Sequence, residues 1–135
     1  MRTIASQEFL QAVRRAVKPG GGVAGNLWGS GYNRLYDAMV RTYQEVFDEL
    51  FILDVRDAGN KILLALPRKQ PLTRDELTLR ARKVSTAKRF RFDLGDLVNY
   101  GYLHAREKNQ RERVLRDVNP AQRRQNDLPA SSLSR

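Results

Sequence analysis

Ten apolar residues recur at spacings of three and four: Tyr32, Leu35, Tyr36, Met39, Val40, Tyr43, Val46, Phe47, Leu50 and Phe51. A helix turns once every ~3.6 residues, so this spacing gathers all ten on one stripe. The pattern predicts an amphipathic helix over 32–53 that buries the stripe against a core. Three tyrosines on one stripe would also suit a quinone or a base, but core packing alone accounts for their positions.

Helix start and stop signals flank this segment. Ser6 is a good N-cap with Glu8 in the first turn, and Pro19 followed by Gly20, Gly21 and Gly22 ends whatever begins there, which predicts a helix over 7–17. The stretch 19–31 holds six glycines and reads as a flexible connector. It does not end in the Gly-Lys-Ser/Thr of a phosphate-binding loop. Asp54 can cap a helix over 55–66 that Pro67 ends, although Gly59 costs it roughly 1 kcal/mol relative to alanine. Thr73-Arg74-Asp75-Glu76 is a capping box opening a helix over 74–89. Asp93 and Asp96 frame one more start, with Leu94, Leu97, Val98, Tyr102 and Leu103 as its apolar face. The segment 105–117 is almost wholly charged, with Glu107/Arg111 and Glu112/Arg116 four apart, as on a solvated helix end. No period-two alternation of any length is evident. The expected fold is therefore all-α: an N-terminal amphipathic helical arm and glycine-rich connector over 1–31, a helical domain over 32–117, and an extended polar tail over 118–135.

Charge narrows the class of partner. The formal charge is +10, and residues 68–135 hold seventeen Lys/Arg against eight Asp/Glu, so most of the excess lies in the second half. Such a field favours a polyanion: RNA, an anionic lipid, or an acidic protein face. The chain has no cysteine, which excludes disulfides and thiolate chemistry. No apolar run approaches the ~20 residues that span a bilayer. In the first eighteen residues one acid, Glu8, faces Arg2, Arg14, Arg15 and Lys18, while Phe9, Leu10, Val13, Ala16 and Val17 share one helix face. That arrangement is similar to an organelle transit sequence and suits a docking helix.

Catalytic signals are sparse. His104 is the one histidine, with no second histidine or cysteine to share a metal, and reads as a polar surface residue. The acid pairs Asp48/Glu49, Asp54/Asp57, Asp75/Glu76 and Asp93/Asp96 fall at expected helix ends or beside Arg and Lys, where capping and salt pairing explain them. The expectation is no catalysis, no cofactor and no metal. The strongest binding signal is Lys88-Arg89-Phe90-Arg91-Phe92, where cations can neutralise phosphates while rings stack on bases. With Arg80, Arg82 and Lys83, the stretch 80–92 carries six basic residues and no acid. The competing account is a basic helix end followed by two core phenylalanines.

From residue 54 onward the sequence resembles the small ubiquinone-binding-protein subunit of mitochondrial ubiquinol–cytochrome c reductase, respiratory complex III. The resemblance rests on Asp54-Val55-Arg56-Asp57-Ala58 as a helix start, Leu66-Pro67, Arg74 seven residues after the proline, Arg80-Ala81 six beyond that, Tyr102-Leu103, and the charged run 106–113. Upstream, Phe9-Leu10 through Val17 and Gly31-Tyr32-Asn33-Arg34-Leu35 are similar to the family's N-terminal elements. The chain departs from the family in about four extra residues between Ala58 and Leu66, a longer segment 36–53, and Phe92-Asp93 in place of a Leu-Pro pair. The resemblance implies an accessory subunit on the matrix side of the mitochondrial inner membrane, without a redox centre. It would dock on cytochrome b and neighbouring complex III subunits through Phe9, Leu10, Val13, Arg14, Arg74, Arg80 and Arg82, with anionic lipid such as cardiolipin in reach. The alternative is an RNA-binding ribosomal protein, mitochondrial or otherwise, for which basic charge and extended arms are expected.

Overall fold

Ser6 opens the chain's first helix, its hydroxyl accepting the Phe9 N–H at 3.2 Å with Glu8 in the electropositive first turn. A computed structural model describes residues 6–117. In chain order its elements are α1 (Gln7–Ala16), β1 (Val23–Trp28), α2 (Tyr36–Val46), β2 (Glu49–Asp54), β3 (Asn60–Leu66), α3 (Arg74–Ala87), α4 (Leu94–Gly101) and β4 (Tyr102–His104). The strands form one antiparallel sheet ordered β1-β3-β2-β4. β2 and β3 are a hairpin, and α2 and the α3–α4 pair each carry the chain across one intervening strand.

This mixed α/β fold corrects the all-α expectation in three places. The helix expected over 32–53 stops at Val46; Phe47 turns to extended backbone (φ −106°, ψ 151°), and the chain continues as β2. Leu50 to Leu53 is buried on both faces of the sheet, and a short continuous apolar run cannot be told from a buried helix by periodicity. The helix expected over 55–66 is a tight turn followed by β3. Asp57 adopts left-handed backbone (φ 57°), the Val55 N–H reaches the Asn60 carbonyl at 3.4 Å, and Asp54 pairs with Lys61 at 3.2 Å instead of capping a helix. The glycine stretch, expected as a connector, contains β1. Val23, Gly25 and Leu27 are partly buried while Ala24, Asn26 and Trp28 are exposed, so the strand does alternate. Gly25 hides the pattern, and its reason is steric: a Cβ there would collide with the Tyr43 hydroxyl.

One face of the sheet carries the main core. Leu50, Ile52, Leu63 and Ala65 meet Tyr43, Val46 and Phe47 of α2 and its exit, together with Leu10 of α1, which is 1% exposed. Arg14 closes this layer. Its guanidinium donates to the Val46 carbonyl at the electronegative end of α2, to the Pro67 carbonyl at 3.3 Å, and to Asp48 at 3.4 Å. The Gln7 N–H bonds the Leu115 carbonyl at 2.7 Å, and the Leu115 N–H bonds the Thr42 hydroxyl at 2.8 Å. α1 is thus built into the domain, not set apart from it by the glycines.

The opposite face presents Phe51 and Leu53, with Tyr102 and His104 beside them on β4. α4 lies against β2 there, and Gly101 runs so close to the Asp54 backbone that no side chain fits. α3 packs on α4 and stands largely in solvent, with only Thr78 and Ser85 buried. Its N-terminus forms the expected capping box, Thr73 and Glu76 each bonding the other's backbone N–H. The segment 105–117, expected as a helix end, holds no helix. The expected tail over 118–135 lies outside the described residues.

Candidate nucleic-acid interface

The end of α3 determines how residues 88–92 are presented. The Arg89 N–H bonds the Thr86 carbonyl at 3.2 Å and the Phe90 N–H bonds the Ser85 carbonyl at 2.9 Å. This crossed pair is a Schellman motif, which requires left-handed backbone at the residue after the cap. Glycine normally occupies that position, but here Arg89 does, at φ 54°. An L side chain there costs roughly 1–2 kcal/mol. The chain then reverses into α4, whose N-cap Asp93 accepts the Gly95 N–H at 2.8 Å. The Ser85 hydroxyl, buried between the two helices, accepts the Leu94 N–H at 2.7 Å and fixes their angle.

The reversal throws both phenylalanines outward. Phe90 is 44% exposed and Phe92 63%, and their rings stack at 5.5 Å with 14° between planes. They are not core residues. In the same turn, Lys88, Arg89 and Arg91 have no carboxylate partner among the described residues, and neither do Arg80 and Lys83 further back along α3. Arg82 differs: it bonds Asp93 at 3.1 Å and Asp96 at 3.3 Å, and these two bonds raise its pKa further. Three cations of the turn itself therefore flank an exposed aromatic pair without a carboxylate partner among the described residues, while Arg82 staples α3 to α4. Arg82, Ser85, Thr86, Arg89, Phe90, Phe92 and Asp93 line a shallow hollow at this corner.

The residues expected to dock on a respiratory partner are scattered. Phe9 is exposed on α1, Val13 is half-buried, Leu10 is in the core, and Arg14 is occupied by backbone carbonyls. Arg74 sits 5.9 Å from the centre of the Tyr102 ring, Arg80 stands on α3, and Arg82 is the staple just described. Of these residues, Arg82 lines the hollow beside Arg89, Phe90 and Phe92, and Arg80 does not.

Other groups escaped the sequence reading. His104, expected on the surface, is mostly buried; its Nε2 lies 2.6 Å from the Glu49 carboxylate and its ring stacks on Phe51 at 4.8 Å. The second Glu49 oxygen accepts the Gln70 N–H at 3.2 Å, so Glu49 ties β2, β4 and the chain leaving β3 together. Trp28 and Tyr32 form an exposed tilted pair 5.8 Å apart, and Arg56 lies over the Tyr100 ring at 4.1 Å. Aromatic content in the sequence flags these residues, but only the fold shows which of them face water. Among the described residues no cluster of His, Asp and Glu has metal-site geometry, and no helix is long and apolar enough to cross a membrane.

No family model, no curated protein and no solved structure matches this chain.

Proposed function

We propose that the chain is an RNA-binding protein that grips single-stranded segments with the turn at 88–92. The carrying observation is the exposed, stacked Phe90–Phe92 pair set among cations that no carboxylate neutralises among the described residues. Rings offer sequence-tolerant stacking surfaces for bases, and the surrounding Lys and Arg follow the phosphates. The strained Arg89 supports the same reading. Glycine would cap α3 at lower cost, so an arginine held there points to a use for its side chain.

Docking on complex III is less well supported. That reading drew on a helix start at residues 54–58, and those residues end β2 and make the turn into β3.

The test is equilibrium binding of single-stranded RNA oligonucleotides across a salt series. Replacing Lys88, Arg89 and Arg91 by glutamine should flatten the slope of log K against log salt by about 2, at ~0.7 per phosphate contact. Replacing Phe90 and Phe92 by alanine should weaken binding by about 1–3 kcal/mol per lost stack and leave the slope unchanged. Wild-type affinity in the phenylalanine variant, or no binding at ~50 mM salt, overturns the proposal.

A further inference from the structure

The second face of the sheet is only partly covered. α4 packs on β2, but neither α3 nor α4 packs closely on β1 or β3. This leaves a cleft of about 350 Å³. Its floor is one cross-strand row, Ala24, Leu64 and Phe51, with Leu66 beside it. Leu77 of α3 and Leu72, on the chain leaving β3, also line it. The volume lies in the range of small-molecule sites, and such sites pair an apolar lining with a few polar groups that orient the ligand.

The charged groups here are of one sign. Arg68, Gln70 and Arg80 line the cleft, and no acid does. Arg68 is held in place by neutral acceptors: its Nε donates to the Gln70 side chain at 2.9 Å, and its two terminal nitrogens donate to the Gly21 carbonyl at 2.6 Å and the Gly20 carbonyl at 3.3 Å. Those bonds orient the guanidinium without cancelling its charge. Arg80 has no carboxylate partner among the described residues. A hydrocarbon floor beneath two uncancelled guanidiniums is complementary to one kind of molecule: an apolar chain with an anionic head. A nucleobase fits less well, because its polar edge would lie against leucine side chains and lose hydrogen bonds to water.

We infer that this cleft is a binding site for a medium-chain alkyl carboxylate, the chain lying on Ala24, Leu64 and Leu66 and the carboxylate meeting Arg80 and Arg68. The planar guanidinium suits a carboxylate because it can donate two parallel hydrogen bonds. The site is separate from the turn at 88–92, and does not depend on nucleic-acid binding.

The experiment is calorimetric titration of the full chain with decanoate, below its micelle concentration, and with decanol as the uncharged control. Decanoate should bind at least about tenfold more tightly than decanol, as expected when a charge-assisted bond adds to the same apolar burial. Arg80→Gln should remove most of that preference, while Lys83→Gln, one turn further along α3, should preserve it. Ala24→Trp, at an exposed position on the floor, should block both ligands and leave RNA binding as in the wild type. Failure of decanoate to bind, equal binding of decanol, an equal effect of Lys83→Gln, or undiminished binding to Ala24→Trp would each overturn the inference. If decanoate binds and the RNA series fails, the cleft stands without the RNA reading; the reverse result removes the cleft alone.

Discussion

Truncating Leu10 to alanine tests whether α1 belongs to the fold or merely hangs from it. Leu10 is 1% exposed and packs among Tyr43, Val46, Phe47, Leu50 and Leu63, contributed by α2, its exit and two strands. Removing a buried leucine side chain costs about 2–5 kcal/mol, the larger values applying where the surroundings cannot collapse into the hole. Here the far wall is sheet, and the helix itself is held by the Gln7–Leu115 backbone bond and by Arg14 on the Val46 carbonyl. Those ties resist collapse, so a loss of about 3–4 kcal/mol is expected. For a chain of this length that is a fall in Tm of roughly 10–20 °C. Urea unfolding followed by far-ultraviolet circular dichroism gives the free energy directly, with the m-value as a check that the unfolded state is unchanged. Phe9→Ala, one position along on the exposed side, should stay within about 0.5 kcal/mol of wild type. A loss below ~1 kcal/mol for Leu10→Ala would refute the reasoning, because a detachable helix loses little stability when its contacts are trimmed.

Glu49→Ala should cost about 3 kcal/mol in the same urea assay, since it strands the Gln70 N–H and His104 together in a nearly closed site. Gly25→Ala should destabilise by about 1–3 kcal/mol through overpacking against Tyr43, and Tyr43→Phe should recover part of that loss in a double-mutant cycle, because the colliding atom is the hydroxyl. Arg89→Gly should raise stability by about 1 kcal/mol by relieving left-handed backbone while weakening RNA binding, a divergence that a purely structural arginine would not produce. Burial raises the Tyr43 pKa, and burial followed by Asp37 and Asp54 raises that of Tyr36. Above pH ~10 the unfolded chain then releases protons that the folded chain retains, so stability is full below that pH and declines as pH climbs toward the folded values. Tyr43→Phe should shallow this alkaline decline, measured as urea midpoint against pH.

Local signals in this sequence were reliable where one residue and its near neighbours decide the outcome. Ser6, Thr73 with Glu76, and Asp93 each cap a helix as their spacing implies, because a cap needs only a side-chain oxygen within three residues of a free N–H. The strands were illegible for a different reason. Tyr43, Val46 and Phe47 lie in the core at helical spacing, and Leu50, which continues the spacing, lies in the core on β2. A period-two strand entered in that register meets the same face, so one apolar pattern serves two structures. β1 was hidden by Gly25, where a backbone must pass under Tyr43 and no side chain remains to mark the inward position. The hairpin did leave a trace: Asp57-Ala58-Gly59-Asn60 is turn chemistry between two apolar runs, and Asp57 takes the left-handed backbone that aspartate tolerates better than most residues.

The same distinction separates the two proposed binding surfaces. Residues 88–92 form one contiguous segment, so their charge and aromatic content are visible in the sequence. Whether the phenylalanines point in or out is determined by the reversal at Arg89, and that follows from the crossed hydrogen bonds to Ser85 and Thr86. The cleft has no contiguous signal. Its floor joins Ala24, Phe51 and Leu64 through strand register, and its guanidiniums come from position 68 and position 80. A one-residue slip of β1 against β3 would turn Ala24 and Trp28 toward α2 and put Gly25 and Leu27 on the open face. The contact between Gly25 and the Tyr43 hydroxyl opposes that slip, since either neighbour of Gly25 would bring a Cβ into the ring's position. The glycine that conceals the strand in the sequence thus also holds the register on which the cleft depends.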